Sequence, residues 1–165
     1  MAQFVIIRGP INSGKSTTTQ LVYKYLAPMA DIGSQHLFRY RMENHFDVLV
    51  APEVPKYVSG NSPYDFYAIL TIQGKKIGIA SAGDTLDKVK AAVDEFLLQH
   101  NVDIIVCCTH SYDKKGSAYR MLKNMYSPLH PMKEFLTKRT SSPLWLNAKQ
   151  TTAVQVVRFI LNQLP

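Results

Sequence analysis

Apolar residues near the start of the chain predict a strand followed by a helix. The run Phe4 to Ile7 is continuous and apolar and predicts a hydrophobic strand. A polar, glycine-containing segment follows, and after it apolar residues recur at helical spacing until Pro28. These helical positions are Leu21, Val22, Tyr25 and Leu26.

Four β-prone runs predict further strands in the middle of the chain. They are Leu37 to Arg41, Phe46 to Val50, Phe66 to Gln73 and Lys76 to Ala82. Gly74-Lys75 joins the last two runs and indicates a hairpin, so part of the sheet is expected to be antiparallel. The stretch Val54 to Tyr64 is rich in proline and glycine and predicts an irregular loop of the kind in which substrates often sit.

The second half of the chain predicts a helix and a buried strand. Asp84 is a suitable N-cap for a helix with one apolar stripe. The stripe consists of Leu86, Val89, Val93, Phe96 and Leu97. Val102 to Cys108 is a near-continuous apolar run, and it ends in the polar residues Thr109 to Ser111. We expect the end of this strand to face the ligand.

The last third of the chain predicts two helices and one short strand. Gly116 to Met125 has a helical pattern, Ser127 to Thr140 has no clear pattern, and Leu144 to Leu146 predicts a short last strand. Thr151 or Thr152 then opens a final helix. Its inward residues are expected to be Val154, Val157, Ile160 and Leu161.

Strands that alternate with helices predict a three-layer α/β fold with a mixed, mostly parallel sheet. The length of 165 residues favours a single domain over 1–165. In such folds ligands bind at the carboxyl ends of the parallel strands, where the segment after Ile7 is expected to lie.

Charge and cysteine content refine this picture. A formal net charge of +7 suits an anionic partner, and a solvated basic surface explains it better than a dedicated nucleic-acid groove. Cys107 and Cys108 are neighbours in one strand, so we expect two buried thiols on opposite faces. No apolar run approaches the roughly 20 residues that span a bilayer, and the first strand leaves no room for a signal peptide, so we expect a cytoplasmic protein without membrane partners.

The polar segment after the first strand carries the strongest chemical signal. Gly9, Gly14, Lys15 and Ser16 fit the pattern G-x-x-x-x-G-K-[ST]. The glycines allow a bend in which backbone N–H groups surround a phosphate, the lysine reaches its oxygens, and the serine hydroxyl is placed to bind Mg²⁺. The predicted nucleotide-binding residues are Gly9, Pro10, Ile11, Asn12, Ser13, Gly14, Lys15, Ser16 and Thr17.

These residues resemble the P-loop NTPase superfamily over Phe4 to Thr17. The resemblance implies the P-loop NTPase fold and binding of ATP or GTP with Mg²⁺, and it is compatible with kinases, hydrolases, switches and motors.

A second acidic group near Mg²⁺ is expected at the end of a strand beside the first one. Asp84 follows the small-residue turn after Ala80 and is the best candidate for a catalytic and metal-binding carboxylate, although it competes with the N-cap interpretation. Glu53 is the second choice and could instead contact an acceptor. Asp103 stands at the start of its strand and therefore at the wrong end.

A basic segment after Cys108 resembles the lid of small nucleoside and nucleotide kinases. Arg120 is the candidate for a catalytic phosphate contact because its fork can bind two oxygens. The alternative is a set of exposed helix-face charges, and His110 is interpreted as a loop residue rather than a γ-phosphate sensor. The segment contains His110, Lys114, Lys115, Arg120 and Lys123.

The order of elements is similar to that of small GTPases, but the motifs depart from that family. Ala80 stands where its Asp-x-x-Gly motif has aspartate, Asn-Lys-x-Asp is missing after Cys108, and Asn147 to Lys149 only loosely resembles Ser-Ala-Lys. ATP is therefore the preferred nucleotide, with GTP as the alternative.

Three functions remain open from the sequence. The first is a small kinase that transfers the γ-phosphoryl group to a small acceptor, held by the loop Val54 to Tyr64 with Tyr57, Tyr64 and Tyr67. The second is a hydrolase or switch that signals to a protein or nucleic-acid partner. The third is nucleotide binding without catalysis.

Overall fold

The computed structural model describes residues 1–40, 46–48, 66–83, 85–141 and 143–165. In chain order, the strands and helices are β1 (Gln3–Gly9), α1 (Lys15–Leu26), β2 (His36–Tyr40), β3 (Phe46–Val48), β4 (Phe66–Ile72), β5 (Lys75–Ala80), α2 (Leu86–Asp94), β6 (Ile104–His110), α3 (Ala118–Met125), β7 (Met132–Leu136) and α4 (Trp145–Leu161). None of the helices in these ranges is long and apolar enough to cross a membrane.

Within the described part of the chain, seven strands form one sheet in the order β3-β2-β4-β5-β6-β1-β7. β1 pairs in parallel with β6 and β7, and β5 pairs in parallel with β6. Antiparallel pairings join β5 to β4, β4 to β2 and β2 to β3. Each antiparallel pairing reverses the direction, so β3 and β4 run against the other five strands. The sheet is mixed and mostly parallel, as predicted.

The position of β6 corrects one expectation. The strand that precedes Asp84 was expected beside β1, but β6 lies between β5 and β1. The chain order of hydrophobic runs does not specify which strands become neighbours, because a long connection can place a later strand in the middle of the sheet.

The sheet is covered by helices on both faces, which gives the predicted three layers. Along β1, Val5 and Ile7 belong to the core cluster with α1 and α4, whereas Phe4 and Ile6 belong to the cluster with α2 and α3. This alternation follows from the two-residue period of a strand. All four side chains are fully buried, as a strand between two helical layers requires.

The C-terminal region differs from the prediction. Leu144 to Leu146 is not a strand, because Leu144 caps α4 and the helix begins at Trp145. The last strand is instead β7, within the segment that had no clear pattern. The buried residues of α4 are Ala153, Val156, Val157 and Ile160. Of the predicted inward residues, Val154 is exposed and Leu161 is only partly buried.

Two further predictions concern single residues. The N-cap of α2 is Thr85, whose hydroxyl accepts from the Lys88 N–H, so the cap interpretation of Asp84 is wrong. Asp84 itself lies outside the described residues. Cys107 and Cys108 belong to the two opposite core clusters, which confirms the prediction of buried thiols on opposite faces.

Candidate functional site

The loop between β1 and α1 leaves the carboxyl end of a central strand. Asn12 and Gly14 have positive φ angles of 61° and 84°, which turn the chain tightly before α1 begins at Lys15. No side chain of the described residues caps this helix. The first-turn N–H groups of α1 are therefore directed toward the concave side of the loop, where an anion is favoured.

Lys15 arches back over the loop. Its Nζ donates to the Pro10 carbonyl oxygen at 2.9 Å, and the residue is only 5% exposed. A buried ammonium beside a helix N-terminus concentrates positive potential at one place. This arrangement is suited to binding a multiply charged anion.

Ser16 contacts the end of β5 although β5 and β1 are not neighbours. Its hydroxyl donates to the Ser81 carbonyl oxygen at 3.4 Å, and the Cys108 thiol donates to the same oxygen at 2.9 Å. The turn from Ser81 to Gly83 therefore passes over β6. A Cβ on Gly83 would lie only 2.6 Å from the Cys108 Sγ, so glycine is what permits this close crossing.

Hydrogen bonds to the segment after β7 hold the other side of the loop. The buried hydroxyls of Ser13 and Thr137 are 2.7 Å apart, and Arg139 Nε donates to the Ile11 carbonyl oxygen at 2.8 Å. A Cβ on Gly9 would lie 2.8 Å from the Thr137 carbonyl oxygen, so the strand end is closely packed as well. The loop is thus positioned by tertiary contacts before any ligand arrives.

The loop borders a cavity of about 520 Å³. This volume lies in the range of small-molecule sites. Its lining residues are Ile11, Asn12, Gly14, Lys15, Ser16, Thr17, His110 and Lys149.

Comparison of the chain with protein-family models, with curated proteins and with solved structures found no match.

Six of the nine predicted nucleotide-binding residues line the cavity. The other three, Gly9, Pro10 and Ser13, support the loop through the contacts described above. The structure brings together a loop that the sequence pattern had identified, and it adds two residues from distant parts of the chain.

The two added residues are His110 and Lys149. His110 is the last residue of β6, pairs in register with Gly9, and stacks on Tyr112 with ring centroids 5.1 Å apart. Sequence reasoning treated it as a loop residue. Its place at the end of a parallel strand was the available signal. Lys149 lies on α4 and had no signal in the sequence beyond the loose similarity already noted.

Arg120 lies elsewhere. Its Nε is 3.6 Å from Asp113 Oδ1, and it lines a separate cavity of about 400 Å³ with Lys115 and Ser117. Asp113 also pairs with Lys123 at 3.4 Å. The basic segment thus forms ion pairs at the N-terminus of α3, and the structure does not bring Arg120 into the loop cavity.

Tyr67 is not available to hold an acceptor. It is 1% exposed and packs edge-on against Phe96, with ring centroids 5.5 Å apart, so it is a core residue of β4. Glu53 and the loop from Val54 to Tyr64 lie outside the described residues.

Oxygen ligands of the kind that Mg²⁺ prefers are present beside Lys15. The Ser16 hydroxyl lies 3.4 Å from the Ser81 carbonyl oxygen, and both are oxygens of this kind. In the ranges that the structure describes, no three His, Cys, Asp or Glu side chains cluster as metal ligands. Asp84, the predicted metal ligand, lies outside those ranges.

Proposed function

We propose that this chain is a P-loop nucleotide-binding protein that holds a nucleoside triphosphate with Mg²⁺ in the loop cavity, with ATP preferred over GTP. The observation that carries the proposal is the cavity of about 520 Å³ lined by Gly14, Lys15 and Ser16 at the end of a buried parallel strand. Backbone amides, an ammonium and a hydroxyl converge there, and these are the groups that phosphate and its metal ion need.

The favoured activity is that of a small kinase. Lys115 and Arg120 line a second cavity of about 400 Å³ together with Leu86, which follows Gly83 by three residues. Two cations in one cavity would suit an anionic acceptor. Under this proposal, Arg120 acts on the acceptor side, whereas Lys15 neutralises charge on the transferred phosphoryl group.

Metal binding belongs to the same proposal. Ser16 and Asp84 would hold Mg²⁺, which would neutralise phosphate charge and fix the phosphate chain. Thr85 caps α2, so Asp84 is not needed for that task.

A hydrolase or switch is the alternative. The Ser16 contact with Ser81 favours it, because it links the ligand loop directly to the β4–β5 hairpin. A change in the Ser16 contact on ligand binding or hydrolysis would then alter the position of the hairpin, which a partner protein could recognise.

Melting experiments test nucleotide binding first. ATP, GTP and their diphosphates, each with and without Mg²⁺, should raise the melting temperature if they bind the folded state, and ATP with Mg²⁺ should raise it most. An acceptor screen then separates the activities, because a kinase forms ADP rapidly only with its acceptor, whereas a hydrolase turns over alone. Absence of any shift would reject the proposal.

Replacement of Asp84 tests the metal site. We expect Asp84→Asn to reduce the gain in nucleotide affinity that Mg²⁺ produces by about tenfold, because it removes one charged ligand. The melting temperature without ligand should be nearly unchanged. Asp87→Asn is the matched control, because Asp87 is exposed in the first turn of α2. A loss of stability in Asp84→Asn without a change in Mg²⁺ dependence would contradict the metal role.

A further inference from the structure

The Lys149 side chain lies against the β1–α1 loop at Gly14. A Cβ on Gly14 would overlap the Lys149 side chain and would lie 2.8 Å from its Nζ. The ammonium of Lys149 is therefore next to the backbone amides at the start of α1. Only a glycine at position 14 leaves room for this approach.

The surroundings of Lys149 give its charge little compensation. Its Nζ lies 3.4 Å from the centroid of the Trp145 ring, one turn earlier on α4. Among the residues that the structure describes, no carboxylate pairs with it. Partial burial also lowers the pKa of Lys149. A half-buried cation with only an aromatic ring beside it is a site at which an anion would be stabilised.

Lys149 also connects two cavities. It lines the loop cavity and an adjoining cavity of about 420 Å³ between β7 and α4, and Ser13, Thr137 and Thr152 are among the other residues that line the second one. An extended anion that enters the loop cavity from α4 would pass this side chain.

We propose that Lys149 is a second phosphate-binding residue, which contacts the phosphate chain of the ligand from the α4 side while Lys15 contacts it from the loop. The inference rests on the proposed nucleotide binding and adds a specific residue to it. The shared chemistry is a polyphosphate chain, whether free or part of a nucleoside triphosphate. The alternative is that Lys149 only packs on Trp145 to stabilise α4.

Calorimetric titration in low, fixed salt with Mg²⁺ tests the role of Lys149. The ligands are inorganic triphosphate, ATP and GTP, and the proteins are the wild type, Lys149→Met, Lys149→Arg and the control Lys133→Met. Lys133 is an exposed lysine of β7. We expect Lys149→Met to weaken binding of at least one ligand tenfold or more, Lys149→Arg to recover most of it, and Lys133→Met to change it less than twofold.

Fluorescence gives a second readout, since Trp145 is the only tryptophan. Its emission should change when the phosphate chain binds the wild type, because Nζ leaves the ring, and should change much less in Lys149→Met. Equal responses in both proteins would contradict the proposal.

The remaining outcomes separate the two proposals. If the wild type binds and Lys149→Met binds equally well, or loses no more than Lys133→Met, only the role of Lys149 is rejected. If the wild type binds none of the ligands, both the nucleotide proposal and the role of Lys149 are rejected. Inorganic triphosphate that binds as tightly as ATP would identify free polyphosphate as a sufficient ligand and would still support the Lys149 contact.

Discussion

The β1–α1 loop and the β4–β5 hairpin both contain left-handed residues, and their surroundings differ. In the β1–α1 loop, Asn12 and Gly14 have φ angles of 61° and 84°. In the β4–β5 hairpin, Gln73 and Gly74 have φ angles of 51° and 76°. A Cβ on Gly74 would meet nothing within 4 Å, whereas a Cβ on Gly14 would meet Lys149.

The comparison separates two uses of glycine. In the hairpin, the backbone alone requires it, because a positive φ suits a tight two-residue turn. In the loop, the backbone requires glycine and the space beside it is used as well, since Lys149 occupies that space. The hairpin turn is therefore open on the outside at Gly74, whereas the β1–α1 loop is packed against Lys149 at Gly14.

The largest expected effect is loss of ligand binding when a lysine of the β1–α1 loop is replaced, but not when a lysine beside the hairpin turn is replaced. Lys15→Ala should abolish the stabilisation by nucleoside triphosphate, which at about 1,000 times Kd would amount to about 4 kcal/mol, because its ammonium is placed at the anion site. Lys75→Ala beside the hairpin turn should retain the full shift. Its ion pair with Asp103, at 3.3 Å, is half exposed and contributes at most about 1 kcal/mol. Thermal melting with and without ligand measures both, and equal shifts in the two variants would remove the distinction.

The next effect compares the two glycines. Gly14→Ala and Gly74→Ala should each cost about 1–2 kcal/mol of unfolding free energy, because alanine is strained at positive φ. Only Gly14→Ala should also weaken triphosphate binding, since the new methyl group displaces Lys149. Urea denaturation gives the stability and titration gives the affinity. If Gly74→Ala lowered affinity to the same extent, the space beside Gly14 would have no special role.

A smaller effect is expected from the hydroxyl pair that anchors the loop. Ser13→Ala leaves the buried Thr137 hydroxyl without its 2.7 Å partner and should cost about 1 kcal/mol of unfolding free energy. The double variant with Thr137→Val should cost less than the sum of the two single changes, because both groups of the pair are removed. Strict additivity in urea denaturation would show that the two hydroxyls do not interact.

The smallest effect is a gain in the hairpin. Gln73→Gly should stabilise the protein by about 0.5 kcal/mol, because it relieves a positive φ at a residue with a side chain and offsets the added chain entropy of glycine. Triphosphate affinity should not change. A melting temperature below that of the wild type would mean that the Gln73 side chain makes a stabilising contact.

Some of this molecule could be predicted from the sequence because the signal was local. The loop from Gly9 to Thr17 depends on residue types at fixed spacing. β6 is a near-continuous apolar run, and such a run is typical of a buried strand. In contrast, β7 is an edge strand whose middle residues are exposed, so no hydrophobic pattern identifies it. The first turns of α4 combine Trp145 and Leu146 with polar residues, so no apolar stripe identifies the start of this helix.

The candidate site shows the same division. Lys15 and Ser16 follow from the motif, whereas His110 and Lys149 enter the cavity only because β6 and α4 pack beside β1 and α1. Such neighbours are set by tertiary packing, which spacing along the chain does not encode. Arg120 pairs with Asp113 on the α3 side, and its spacing along the chain did not indicate that it would line a cavity other than that of the loop.

The labelling rates of the two adjacent cysteines would measure how often each helical layer opens away from the sheet. Cys107 is buried against α2 and α3, where burial raises the pKa of its thiol, and Cys108 is buried against α1 and α4. A thiol reagent can reach each one only when the layer above it opens. One labelling rate would mean that both layers open as a unit, whereas two rates would assign a separate opening free energy to each side of the sheet. Because Cys108 also donates to the Ser81 carbonyl oxygen, which the Ser16 hydroxyl contacts, its labelling rate would also report on the end of the sheet beside the β1–α1 loop.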